Sequence, residues 1–103
     1  MKYTMAQLTG TYYDYRNHRA LAIFDAEGDI EDVITTNGEI FVPDNAIIIR
    51  SDEPEKVQGL VDLGVIEPEI FTTVPSGFIN LNAYILTDKG LSIWETDPAS
   101  TQA

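Results

Sequence analysis

The feature that most constrains this chain is how closely its turns follow one another. Short runs rich in β-branched and aromatic residues are separated by turns of as few as two residues. A parallel pair of strands needs a crossover of a dozen or more residues, so these runs must pair antiparallel. Thr11-Tyr12-Tyr13-Asp14-Tyr15-Arg16 and Ala20-Leu21-Ala22-Ile23-Phe24 read as a hairpin across Asn17-His18-Arg19. Asp25-Ala26-Glu27-Gly28-Asp29 is a turn cluster leading into a strand over 30–36. Asn37-Gly38 is the favoured pair for a type I′ turn and predicts a second hairpin, returning through Glu39-Ile40-Phe41-Val42. Ala46-Ile47-Ile48-Ile49-Arg50 is a short apolar strand, and Ile70 to Val74 and Phe78 to Thr87 are two more. In the last of these, Ile79, Leu81, Ala83 and Ile85 share one face.

The period changes once. Val57, Leu60 and Val61 stand at i, i+3 and i+4 behind a candidate N-cap, Ser51 or Asp52, with Pro54 in the first turn and Gly64 at the stop. Leu91-Ser92-Ile93-Trp94-Glu95 fits either a strand or a helical turn, and Trp94 reads as core or its edge. The fold class expected is α+β: a small single domain with an antiparallel sheet or half-barrel of six to eight short strands and one short helix over about residues 53–63. At 103 residues one domain is expected, over 1–96, with 97–103 as a flexible tail.

Charge is distributed unevenly. The formal net charge is -11, yet residues 1–24 carry +2 and residues 70–103 only -2. The middle stretch, 25–69, holds thirteen carboxylates against Arg50 and Lys56. Asp25, Glu27, Asp29, Glu31 and Asp32 form its densest group, and Asp52, Glu53 and Glu55 a second. Solubility alone accounts for a high net charge. Clustering costs self-repulsion that scattered carboxylates would avoid, and this favours a docking face for a basic protein. The eight residues of these two groups are the candidate partner-binding site. Tyr12, Tyr13, Tyr15, Arg16 and Arg19 interleave aromatics with the chain's main basic cluster and form a secondary candidate interface, since Tyr and Arg dominate protein hot spots. The same composition suits single-stranded nucleic acid, but the remaining charge repels it, so no direct nucleic-acid partner is expected.

Several chemistries are excluded or unsupported. Without cysteine there is no disulfide, thiolate nucleophile or cysteine-based metal site, and with only His18 no site within the chain can use two histidines. Asp25-x-Glu27-x-Asp29 starts like a calcium loop, but Ile30 stands where the turn requires Gly and Thr36 where a bidentate Glu is needed. Ser76 lacks the Gly-x-Ser-x-Gly setting, and no glycine-rich phosphate loop occurs. No catalytic, cofactor-binding or metal-ligating residue is assigned. Residues 1–7 lack the apolar stretch of a secretory signal, and no run reaches the length of a membrane span, so a cytoplasmic protein without membrane partners is expected.

Two resemblances bear on function. Leu60-Val61-Asp62-Leu63-Gly64-Val65-Ile66 and Tyr84-Ile85-Leu86-Thr87-Asp88-Lys89-Gly90 give residues 57–95 a local resemblance to the C-terminal half of winged-helix domains. That resemblance implies a helix followed by a two-stranded wing. Upstream the chain reads as strands where the family has helices. The would-be recognition helix sets Glu53, Glu55 and Asp62 against Lys56 alone, so a regulator acting through protein contacts is implied rather than DNA binding. In composition only, a small, cysteine-free, strongly acidic chain resembles phage or mobile-element inhibitors that block restriction or CRISPR enzymes by mimicking DNA. The function expected is therefore a non-catalytic inhibitor that docks on the basic nucleic-acid-binding surface of an enzyme. A small virion or assembly subunit is the alternative.

Overall fold

The structure, a computed structural model, describes residues 3–14 and 16–95. Tyr15 and the tail read over 97–103 lie outside the described residues. A 3₁₀ turn, Met5–Gln7, leads into β1 (Leu8–Tyr12), β2 (Arg19–Phe24) and β3 (Ile30–Val33), an antiparallel meander. Then follow β4 (Ala46–Arg50), α1 (Pro54–Asp62), β5 (Thr72–Ser76), β6 (Ile79–Ile85) and α2 (Asp88–Glu95). The second sheet runs β4-β6-β5, also antiparallel. The fold is α+β with six strands, as the turn spacing requires, but in two three-stranded sheets rather than one.

The apolar run of β4 explains the layering. Ile47 and Ile49, with Tyr84 of β6, face the main core, where they meet Leu21 and Ile23 of β2 and Leu60 of α1. Ile48 points the other way, into a smaller cluster with Leu81, Ala83 and Ile40, flanked by Val42 and Val74. A strand buried on both faces reads as a continuous hydrophobic run rather than an alternating one.

Ile40 and Val42 come from the segment that the Asn37-Gly38 signal assigns to a hairpin, and here the expectation fails. Ile34 donates its amide to Leu21 O in the first sheet, and Thr36 donates to Ile48 O in the second. The segment therefore crosses from one sheet to the other instead of folding back on itself. Gly38 is not in the left-handed region. Its lack of a side chain serves close approach, because a Cβ there would lie 2.5 Å from Leu81 Cδ1. The paired positive φ values of a tight turn occur instead at Arg16 (61°) and Asn17 (55°), closing the β1–β2 hairpin.

One further local reading changes, and one left open is decided. The N-cap of α1 is Glu53, not Ser51 or Asp52, with Pro54 entering the first turn. Gly64, at φ 76°, ends the helix as its spacing predicts. Residues 91–95 are helical, because Thr87 caps α2: its Oγ1 accepts the Gly90 amide at 3.1 Å. The chain thus carries a second helix beyond the one expected.

One buried cation ties the first sheet to α1. Lys56 is 6% exposed, and its Nζ donates to Val33 O at 3.0 Å and pairs with Asp32 at 3.3 Å and Glu53 at 3.1 Å. Tyr3 OH in turn donates to Lys56 O at 3.0 Å. Replacing Lys56→Met should destabilise the protein by about 2 kcal/mol, because two half-buried carboxylates and a carbonyl lose their partner. The urea midpoint should partly recover when Asp32→Asn and Glu53→Gln are added.

Burial, with a smaller contribution from Asp62, pushes the Tyr3 phenol up to about 12. Below pH about 10 the phenol is neutral in folded and unfolded chains alike. Above that the unfolded chain ionises first, so stability should fall with rising pH until about 12 and then level off. In Tyr3→Phe, the drop in urea midpoint between about pH 9 and about pH 11 should be smaller than in the parent.

Candidate functional site

The two acidic groups, separate in sequence, are brought together through Lys56. Asp32 of β3 and Glu53 at the start of α1 share its ammonium. The remaining carboxylates divide by what they touch. Asp25 is turned onto its own loop, where Oδ1 accepts the amides of Glu27 at 2.9 Å and Asp29 at 3.0 Å. This Asx-type arrangement holds the β2–β3 turn and engages a carboxylate that the calcium-loop pattern would use as a ligand. Asp52 takes a bidentate contact from Arg50, Nε at 3.0 Å and Nη2 at 2.9 Å, and that hydrogen bonding holds its carboxyl below the usual value. Glu27, Asp29, Glu31 and Glu55 are exposed, and none forms an ion pair among the described residues. Glu31 is placed outward by an irregularity in pairing. Ile23 opposes Asp32 while Phe24 opposes Ile30, which leaves Glu31 as the extra residue of a β-bulge.

Successive turns of a meander lie at opposite ends of its sheet. The acidic β2–β3 turn is therefore separated from the β1–β2 turn by the length of β2, roughly 20 Å for six residues. That far end holds the secondary candidates. Tyr12 and Arg19 are register partners on the inner face of the sheet, beyond the core. The Arg19 guanidinium lies 5.5 Å from the Tyr12 ring and 5.1 Å from the Trp94 ring, while Nη2 reaches Asp44 Oδ2 at 3.4 Å. These contacts leave the Arg19 side chain only 11% exposed. Trp94 is fixed by its Nε1 donating to Thr11 O at 2.8 Å, with its ring seated on Gly10. Tyr13 is structural: its OH donates to Thr35 O at 3.0 Å. Arg16 lies 5.2 Å over the ring of Phe41, which is 89% exposed.

Beside Arg19, a cleft of about 450 Å³ opens between β1, the turn at Asp44 and Asn45, and the end of α2. The sequence assigns Asp44 and Phe41 no place in a site, and Trp94 no more than a place in the core or at its edge, whereas Asp44 and Trp94 both line this cleft. No local pattern links Trp94 to Thr11, 83 positions away. A lone tryptophan on an amphipathic stretch carries only a signal for burial.

Comparison with protein-family models, curated proteins and solved structures finds no match to this chain. Among the described residues no three His, Asp or Glu side chains gather as a metal site would require, and no helix is long and apolar enough to cross a membrane. What the geometry offers is two surfaces of different character, an acidic turn and an aromatic cleft around a nearly buried arginine.

The seat of Trp94 is testable. A Cβ on Gly10 would lie 2.5 Å from the indole Cε2. Gly10→Ala should displace the ring, break its bond to Thr11 and destabilise by about 1–3 kcal/mol. Urea unfolding followed by Trp94 emission should show an earlier midpoint and a shifted native spectrum.

Proposed function

We propose that this chain is a non-catalytic protein-binding module whose acidic β2–β3 turn docks on a basic surface, that of a nucleic-acid-handling protein. The observation that carries this reading is the division among the carboxylates. Within one stretch, Asp32, Glu53 and Asp52 are compensated by Lys56 and Arg50, and Asp25 is spent on its own turn. Glu27, Asp29 and Glu31 stand exposed with no ion pair among the described residues. Such a row makes the local potential strongly negative and repels itself in the free protein, and a basic partner would relieve both.

Basic grooves of this kind occur on proteins that bind nucleic acid. A small acidic protein filling one would act as a competitive inhibitor, as a phage or mobile-element DNA mimic does. The aromatic cleft at the other end of the sheet is a second place where such a partner would be held.

The test is capture from a lysate at low and high salt, followed by association kinetics with the captured protein. The Glu27→Gln, Asp29→Asn, Glu31→Gln variant should keep its fold and associate about tenfold more slowly at low salt, with the difference shrinking as salt screens the field. A control variant, Glu67→Gln, Glu69→Gln, Asp88→Asn, should change the rate much less. Equal slowing in both would show that net charge alone is read and would refute a local site.

A further inference from the structure

Arg19 shows what the aromatic walls of the cleft hold well. A guanidinium stacked on Tyr12 and Trp94 gains from both ring faces, and its planar shape suits them better than a lysine ammonium does. Arg19 does not exhaust the site. Its volume, about 450 Å³, is in the range of pockets that take a ligand, and Tyr12 remains 44% exposed beside it. The cleft also carries one more negative charge than positive. Arg19 is met by Asp44, whose side chain is still 92% exposed at a separation of 3.4 Å. Glu95, the last residue of α2, lines the same cleft and forms no ion pair among the described residues. Leu91, one helical turn earlier, supplies an apolar wall.

From this we infer that the cleft receives an arginine side chain of a basic protein partner. The incoming guanidinium lies against the open face of Tyr12, between the carboxylates of Asp44 and Glu95, and its aliphatic stem rests on Leu91. An anionic ligand is disfavoured, because Arg19 already has its carboxylate and the chain as a whole is at -11. A second copy of this chain is disfavoured by the same net charge. The inference rests on the reading above for the basic character of the partner. It adds a specific contact at the opposite end of the first sheet from the acidic turn.

The test needs no partner, because Trp94 is the single tryptophan and reports on the cleft directly. A blocked Gly-Arg-Gly peptide is titrated into the intact chain at low salt while Trp94 emission is followed. A saturable change is expected, absent with the neutral citrulline counterpart. In Asp44→Asn with Glu95→Gln the peptide should bind about tenfold more weakly, as for loss of a charge-assisted contact. Should Asp44→Asn also loosen Arg19, Glu95→Gln alone carries the test, since Glu95 takes part in no ion pair among the described residues.

No saturable response, an equal response to the citrulline peptide, or unchanged affinity in Glu95→Gln overturns the assignment. So does a Gly-Glu-Gly peptide that binds in place of the arginine one, which would make Arg19 an anion site. The Glu27→Gln, Asp29→Asn, Glu31→Gln chain should respond as the parent does. Failure of the acidic turn and failure of the cleft are thereby read separately.

Discussion

Lys56 is the contact on which the arrangement of this protein turns. An ammonium removed from water costs several kcal/mol unless its hydrogens find acceptors. Lys56 has three hydrogens and meets three oxygens, on Val33, Asp32 and Glu53. Those oxygens belong to β3 and to the start of α1, so satisfying the charge fixes the helix on the edge of the first sheet. Tyr3 closes the same knot from the N-terminal side by donating to the Lys56 carbonyl. In a chain this acidic, the buried cation also makes two of the carboxylates structural. Asp32 and Glu53, within its reach, are neutralised, while Glu27, Asp29 and Glu31 are exposed and form no ion pair among the described residues.

The second organising element is the segment from Ile34 to Val42, which serves both sheets. It continues the pairing of β2 through Ile34, passes to β4 through Thr36, and covers the outer face of the second sheet with Ile40 and Val42. Without that cover Ile48, Leu81 and Ala83 would face water. The two hydrophobic clusters are thus joined through one strand, β4, buried on both sides, and one crossing segment. The segment also bears Asn37, whose Oδ1 lies 2.7 Å from His18 Nδ1, so the hairpin tip that carries Arg16 is braced by the same piece of chain.

Much of this was legible in the residues. β4 matches its apolar run, α1 matches the spacing of Val57, Leu60 and Val61, and Gly64 ends it. These features are local, and their causes are a few residues apart. What could not be read was long-range. Asn37-Gly38 carries a strong turn signal, yet the pairing partners available to its flanks, Leu21 and Ile48, offer more than a local hairpin would. Leu91-Ser92-Ile93-Trp94-Glu95 stays open between strand and helix until Thr87 is seen to cap a helix that packs beside Val65. For the site, the acidic stretch was visible in composition, but its division into structural and free carboxylates depends on where Lys56 and Arg50 lie. The cleft was half visible, in Tyr12 and Arg19. Its other half arrives from Asp44 and from α2, and no spacing rule connects them.

The bulge at Glu31 limits how any partner can be met. β3 is an edge of its sheet, and a straight edge strand offers a row of unpaired amides and carbonyls as a template for another chain. The extra residue breaks the even repeat of that row, and a carboxylate sits at the break. Strand addition, the commonest way for an exposed sheet to capture a peptide through main-chain bonds, is thereby obstructed at the place where the charge would attract one. A basic partner of the kind proposed would have to be met at this end through side chains, an encounter that is quick to form, sensitive to ionic strength and indifferent to the partner's backbone conformation.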